Sequence, residues 1–111
     1  MSVEDADVID FLVHDPNDGV VLVLVEGREW DGSRERLLQL QDKINSYVAY
    51  VRDGQMLEQH PELAGKPIRF ELRCVSRPDA KTEGFLQIVR GRLRTEDLDL
   101  QVRQIGTRPL G

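Results

Sequence analysis

The sequence predicts an α+β domain, a two-layer sandwich in which two helices cover one face of a four-stranded mixed sheet, in the order β-β-α-β-α-β. Three observations carry this. Apolar and polar residues alternate with period two near the start, at 68–75 and again at 98–103. A stretch of helical period runs unbroken from Trp30 to Gly54. A second, shorter helical stripe separates the last two alternating runs. A helix must lay its apolar stripe on something, and in a chain of 111 residues a single sheet face is the economical partner.

The first strand is read from Ile9, Phe11 and Val13 alternating with Asp10, Leu12 and His14, with the first set expected on the better-buried face. Asp15-Pro16-Asn17-Asp18-Gly19 follows, where Pro sets φ, Asn and Asp bond locally, and Gly accepts positive φ. Val20 to Val25 is then apolar at every position, so the two strands read as a hairpin. Calcium binding by Asp15, Asn17, Gly19 and Glu26 is disfavoured: the glycine stands fifth rather than sixth, and a strand occupies the later ligand positions.

Ser33 is placed to cap the first helix, expected over 33–53 and about 30 Å long. Leu37, Leu40, Ile44, Tyr47, Val48 and Val51 form its stripe, with Arg34, Gln39, Asp42, Lys43 and Ser46 pointing elsewhere. Burying six such side chains contributes on the order of 10 kcal/mol before entropy is counted. Gly54 ends the helix, where αL geometry suits glycine. Met56 to Gly65 is a compact connection with a short helical turn before Pro61. Ile68, Phe70, Leu72 and Cys74 face a core, with Arg69, Glu71 and Arg73 toward water. Pro78 and Asp79 open a second helix with Phe85, Ile88, Val89 and Leu93 as its stripe. Gly84 and Gly91 inside it cost about 1 kcal/mol each relative to alanine. Leu98, Leu100 and Val102 make the last strand, parallel to the third if the two are neighbours. The chain is one domain, 1–111, with loose ends at 1–6 and 106–111.

Composition narrows function more than it names it. Hydrophobic residues are 40% and charged residues 32%, a balance that folds rather than one that stays disordered. Net charge is −5, with nine acids and one base in residues 1–31, which disfavours phosphate-backbone binding. Eight bases lie in 66–94, but Phe70 and Phe85 are the aromatics there and both fall on core faces, so no nucleic acid is expected. The longest apolar run is six residues, so no membrane span is expected either. Cys74 is the single cysteine, and the residues after Met1 are acidic, which together predict a reducing, cytoplasmic setting. Cys74 lies on an apolar strand face and reads as a buried hydrophobe. His14 and His60 are the two imidazoles, without a nucleophile or metal-ligand spacing beside either. The acids Glu4, Asp5, Asp7 and Asp10 read as a hydrated terminus. No catalytic, cofactor or metal residues are therefore assigned.

With both helices on one sheet face, the other face is open. Either Val20, Leu22 and Leu24 or Val21, Val23 and Val25 would then lie exposed as an apolar stripe rimmed by charge, and the second set, with Arg69, Glu71 and Arg73, is taken as the expected partner-binding residues.

Trp30, the run Leu38-x-Leu40-Gln41-x-Lys43-Ile44-Asn45-x-Tyr47, Gly54, Pro61 and Gly65-Lys66 resemble the DUF6572 family of small bacterial proteins of unknown function. The resemblance implies this length and an α+β layout, assigns no catalytic residues, and suggests kinship with immunity proteins that neutralise a toxin. Gln41 and Asn45, four apart, are expected to hold the Met56–Gly65 connection by hydrogen bonds. The function expected is a non-catalytic protein-binding module, immunity-like, that masks a protein partner's surface. A self-associating homodimer is the alternative, and a hydrolase using His60 a remote one.

Overall fold

The computed structural model describes residues 10–15, 17 and 19–105. The expectations for residues 1–9, Ile9 among them, for Pro16 and Asp18, and for the tail 106–111 lie outside the described residues.

The hairpin forms as its turn chemistry requires. Strands β1 (Phe11–Asp15) and β2 (Gly19–Glu26) pair antiparallel, with Asp15 opposite Gly19. The Asn17 backbone N–H donates to Asp15 Oδ1 at 2.8 Å, the local bond that Asx turns use. Gly19 takes φ +85° because nothing larger fits: an added Cβ would stand 2.4 Å from the Pro67 carbonyl oxygen. That carbonyl accepts from Val20 N at 2.8 Å, which seats the start of β2 on the segment entering β3.

Register then corrects the reading of β1. The turn places Leu12 opposite Leu22, so Leu12 packs on the helix-side core. Val13, expected on the buried face, points the other way and is 42% exposed. The alternation in 9–14 is ambiguous by itself because both sets contain apolar residues; the hairpin decides the phase.

Strand β3 (Ile68–Cys74) pairs parallel with β2, and β4 (Asp99–Gln104) pairs parallel with β3. The spatial order β1-β2-β3-β4 is the chain order. Helix α1 (Arg34–Arg52) begins where expected, with Ser33 extended and its hydroxyl accepting from Arg36 N. A short helix α2 (Gln55–Gln59) follows Gly54 (φ +86°), and Pro61–Leu63 makes a 3-10 turn. Helix α3 (Ala80–Arg94) is preceded by Asp79, whose carboxylate accepts from the Thr82 hydroxyl at 2.5 Å. That hydroxyl holds the Asp79 carboxyl below its ordinary range.

The two-layer sandwich is present, with both long helices on one sheet face. Leu40, Ile44 and Tyr47 of α1 and Leu86 and Leu93 of α3 join Val20, Leu22, Leu24, Phe70, Leu72 and Leu100 in one core. Tyr47 meets Phe70 edge to face, ring centres 5.8 Å apart, a preferred aromatic geometry. Met56 and Leu63 plug its end from the connection, which is tied back by Tyr50, whose hydroxyl donates to Gln59 Oε1.

Two helical side chains depart from expectation. Lys43 is fully buried rather than turned to water. Ile88 is 73% exposed rather than in the stripe. The buried line of α3 runs through Thr82, Leu86 and Leu93, and a residue two on from Leu86 stands about half a turn away. On the far sheet face, Val21 and Val23 are 4% and 0% exposed, so the expected apolar stripe is not open. Strand β2 is an inner strand, so each valine has longer neighbours about 5 Å to the side, among them Arg69 beside Val21 and Glu71 beside Val23.

Candidate functional site

Four groupings of polar or apolar side chains could carry a function, and their geometry separates them. The first lies between β1 and α1. The Lys43 ammonium sits 3.1 Å from Asp10 Oδ1, with both side chains fully buried. Asp10 Oδ2 accepts from Val25 N, and the Tyr47 hydroxyl accepts from Asp10 N while donating to the Val23 carbonyl at 2.5 Å. Burial pushes the Tyr47 phenol well above its ordinary range, with the nearby Asp10 charge adding to it. These groups bond one another and the backbone, which fastens the hairpin to the helix layer.

The second grouping is at the carboxyl end of the parallel strands, where α/β sheets often bind ligands. Glu26 is fully buried and takes a two-point hold from Arg28, which also donates to Gln39. Trp30 donates from Nε1 to the Ser76 carbonyl, bridging the loops after β2 and β3. Cys74 is buried beneath them, 3.8 Å from the Arg103 carbonyl oxygen. Burial pushes its thiol up, the Glu26 charge adding to the rise and Trp30 offsetting part. A thiol so placed reacts slowly, because the thiolate is the nucleophile. A disulfide reagent at pH 8 is therefore expected to label Cys74 only at the rate of global unfolding. Labelling of the native protein as fast as a small free thiol would contradict the burial.

The histidines form no grouping. His14 is exposed on β1, and His60 lies after α2 with Nδ1 3.6 Å from an exposed Glu62 carboxylate. Among the described residues no three His, Cys, Asp or Glu side chains are placed to hold a metal ion.

The charges expected to rim the sheet's far face are there, turned mostly on one another. Glu71 is buried and bonded to Arg73 at 2.8 Å, with Arg103 3.7 Å away. Val25, Arg69 and Arg73 are half-buried. The six residues singled out by pattern thus share one face, but its apolar part is covered.

The fourth grouping is the outer surface of α1 and α3. A shallow groove separates the helices, lined by Ile44 and Val48 on one wall and Phe85, Val89 and Leu93 on the other. Gln41, Asn45, Ile88 and Arg92 complete its lining. Ile88 is the most exposed large hydrophobic residue among the described residues. Leu38, 46% exposed, continues the apolar surface along α1. Gln41 and Asn45, expected to hold the Met56–Gly65 connection, face this groove instead; Tyr50 and Gln59 do the work assigned to them. Helical spacing was the missed signal: Leu38, Gln41 and Asn45 recur at three and four on the side opposite Lys43 and Tyr47.

Comparison with protein-family models matches residues 1–106 to the family of unknown function DUF6572. The chain belongs to that family. No curated protein and no solved structure matches it. In this DUF6572 chain, the residues that carried the resemblance divide between two tasks. Lys43, Ile44 and Tyr47 are buried, and Trp30 joins two loops. Leu38, Gln41 and Asn45 lie on the outer helical surface. No helix of the DUF6572 chain is long and apolar enough, among the described residues, to cross a membrane.

Proposed function

We propose that the chain is a non-catalytic protein-binding module that works through the face of α1 and α3, masking a partner in the manner of an immunity protein. The observation that carries this reading is Ile88, 73% exposed in the lining of a mostly apolar groove. Among the described residues, Arg92 is the one charged residue in the groove's lining, with Gln41 and Asn45 as its neutral polar groups. An apolar centre depleted in charge is the composition that interface cores share. Leaving such a residue in water forgoes about 1.5–3 kcal/mol of burial, which a docked partner would recover.

A photoreactive amino acid at position 88, with a second at exposed Glu58 as control, tests the reading in the cell that makes the protein. Adducts with protein are expected from 88 and not from 58. Equal yields from the two positions, or none from either, would set the reading aside. The acidic N-terminal third could steer a basic partner toward the molecule, which would show as an association rate falling with salt.

A further inference from the structure

Strand β4 stands last in the sheet order, with β3 on one flank and, among the described residues, no strand on the other. It pairs with β3 in unbroken register and contains no proline or lysine, so it lacks the usual devices that keep an edge from pairing again. The phase of its backbone follows from the bonds to β3. Ile105 N donates to the Cys74 carbonyl, so the odd-numbered residues turn their peptide groups toward β3, and Leu100, Val102 and Gln104 turn theirs outward. Arg90 of α3 shows the same direction, because its Nε donates to the outward Leu100 carbonyl at 3.0 Å.

This edge is complementary to itself. Asp99, Gln101 and Arg103 are exposed on the sheet face away from the helices, while Leu100 and Val102 lie on the core side. About a two-fold axis through Gln101, an antiparallel copy sets Asp99 opposite Arg103 twice and Leu100 opposite Val102 twice, as an isologous contact demands. Leu100 and Val102 then exchange N–H and C=O bonds with their counterparts. Asp99 and Arg103 fall at the closer, non-hydrogen-bonded positions, about 4.5 Å between Cα atoms.

The neighbouring charges favour that arrangement. Arg69 stands beside Asp99 and Arg73 beside Arg103, and Glu71 lies 2.8 Å from Arg73 and 3.7 Å from Arg103. Arg73 and Arg103 thus share the Glu71 carboxylate, and Asp99 of a second copy brings another to Arg103. Moving the axis to Leu100 or Val102 breaks both Asp99–Arg103 pairs, so the charges select one register. On the helix side, Glu83, Gln87 and Arg90 border a groove beside Val102. Helix α3 runs antiparallel to β4, so the same axis turns Glu83 toward Arg90 of the other copy.

We infer that β4 pairs antiparallel with β4 of a second copy about Gln101, joining two four-stranded sheets into one with all the helices on the same side. Entry of the second strand takes the Leu100 carbonyl from Arg90, whose guanidinium turns to Glu83 of the other copy. The outer face of α1 and α3 stays free, so the dimer is independent of the docking role proposed for that face.

Sedimentation equilibrium of the full chain, from tens to hundreds of micromolar, tests it. The wild type is expected at twice the monomer mass. Val102→Pro is expected at the monomer mass with the wild-type circular dichroism spectrum, since it removes an N–H that points away from β3 and leaves the ladder to β3 intact. Ile88→Asp is expected to remain a dimer, because Ile88 lies on the free face. Charge reversal decides the register. Asp99→Arg in one chain and Arg103→Asp in another are each expected to be monomeric, with like charges opposed at both pairs. Mixed one to one they should form a heterodimer, because the two changes together restore both pairs.

A monomeric wild type overturns the inference and leaves Arg90 as a guard of the edge. So does a dimer that survives Val102→Pro, a dimer lost on Ile88→Asp, or a mixture of the charge-reversed chains that stays monomeric. Should Val102→Pro fail to fold, the charge-reversed mixture carries the decision.

Discussion

Lys43→Met is expected to destabilise the fold by about 3–5 kcal/mol, the range for breaking a buried ion pair from one side. The lysine and Asp10 are both fully buried and 3.1 Å apart, so the variant leaves a carboxylate without its counter-charge inside the core. A domain of this size has about 5–15 kcal/mol in total, so the loss is a large share. With a urea slope of about 1–3 kcal/mol per molar, the unfolding midpoint should fall by about 2 M. Adding Asp10→Asn should recover most of the loss. The asparagine keeps an oxygen for the Val25 N–H, at present bonded to Asp10 Oδ2, and removes the stranded charge. A single variant within about 1 kcal/mol of wild type would show that the pair adds nothing to stability.

Gly19→Ala is the second large effect. Positive φ alone costs a non-glycine residue about 1–2 kcal/mol. Gly19 adds a collision, since its Cβ would lie 2.4 Å from the Pro67 oxygen and 2.7 Å from the Pro67 ring. Relief requires β2 to move off the Pro67 carbonyl, breaking the bond to Val20 N. The expected loss is about 3 kcal/mol or more, in the range of strained sites with a lost bond. Gly65→Ala is the matched control: its φ is +79° and nothing lies within 4 Å of an added Cβ. Urea melts of the two variants separate backbone strain from collision. Equal losses would mean that the Pro67 contact is easily relieved.

How much of this could be read beforehand follows from the range of each interaction. Helix α1 was legible because its signals are local: the Ser33 cap, the apolar spacing and Gly54 lie within about twenty residues. The face of β3 was legible because charged and apolar residues alternate strictly from Ile68 to Arg73. Lys43 was misplaced by its chemistry, since lysine is seldom buried. Its position told otherwise: three residues after Leu40 and four before Tyr47, it lies within the buried arc. Its partner, 33 residues earlier, could not be named without the hairpin's register. Ile88 failed for the opposite reason, because isoleucine invites a core assignment and α3 is short and glycine-weakened. The covering of Val21 and Val23 depends on what flanks β2 in space, which strand pattern does not contain.

The identity of spatial and sequential strand order bears on how the chain is made. No strand has to be threaded between two already in place, so the sheet can grow by addition at one edge as the polypeptide leaves the ribosome. The hairpin emerges first with one flank of β2 unsatisfied, and some forty residues must follow before β3 arrives to cover it. During that interval an edge of valine and leucine from Val20 to Val25 is open to strangers. Slower synthesis of the segment ahead of β3 would lengthen the exposure.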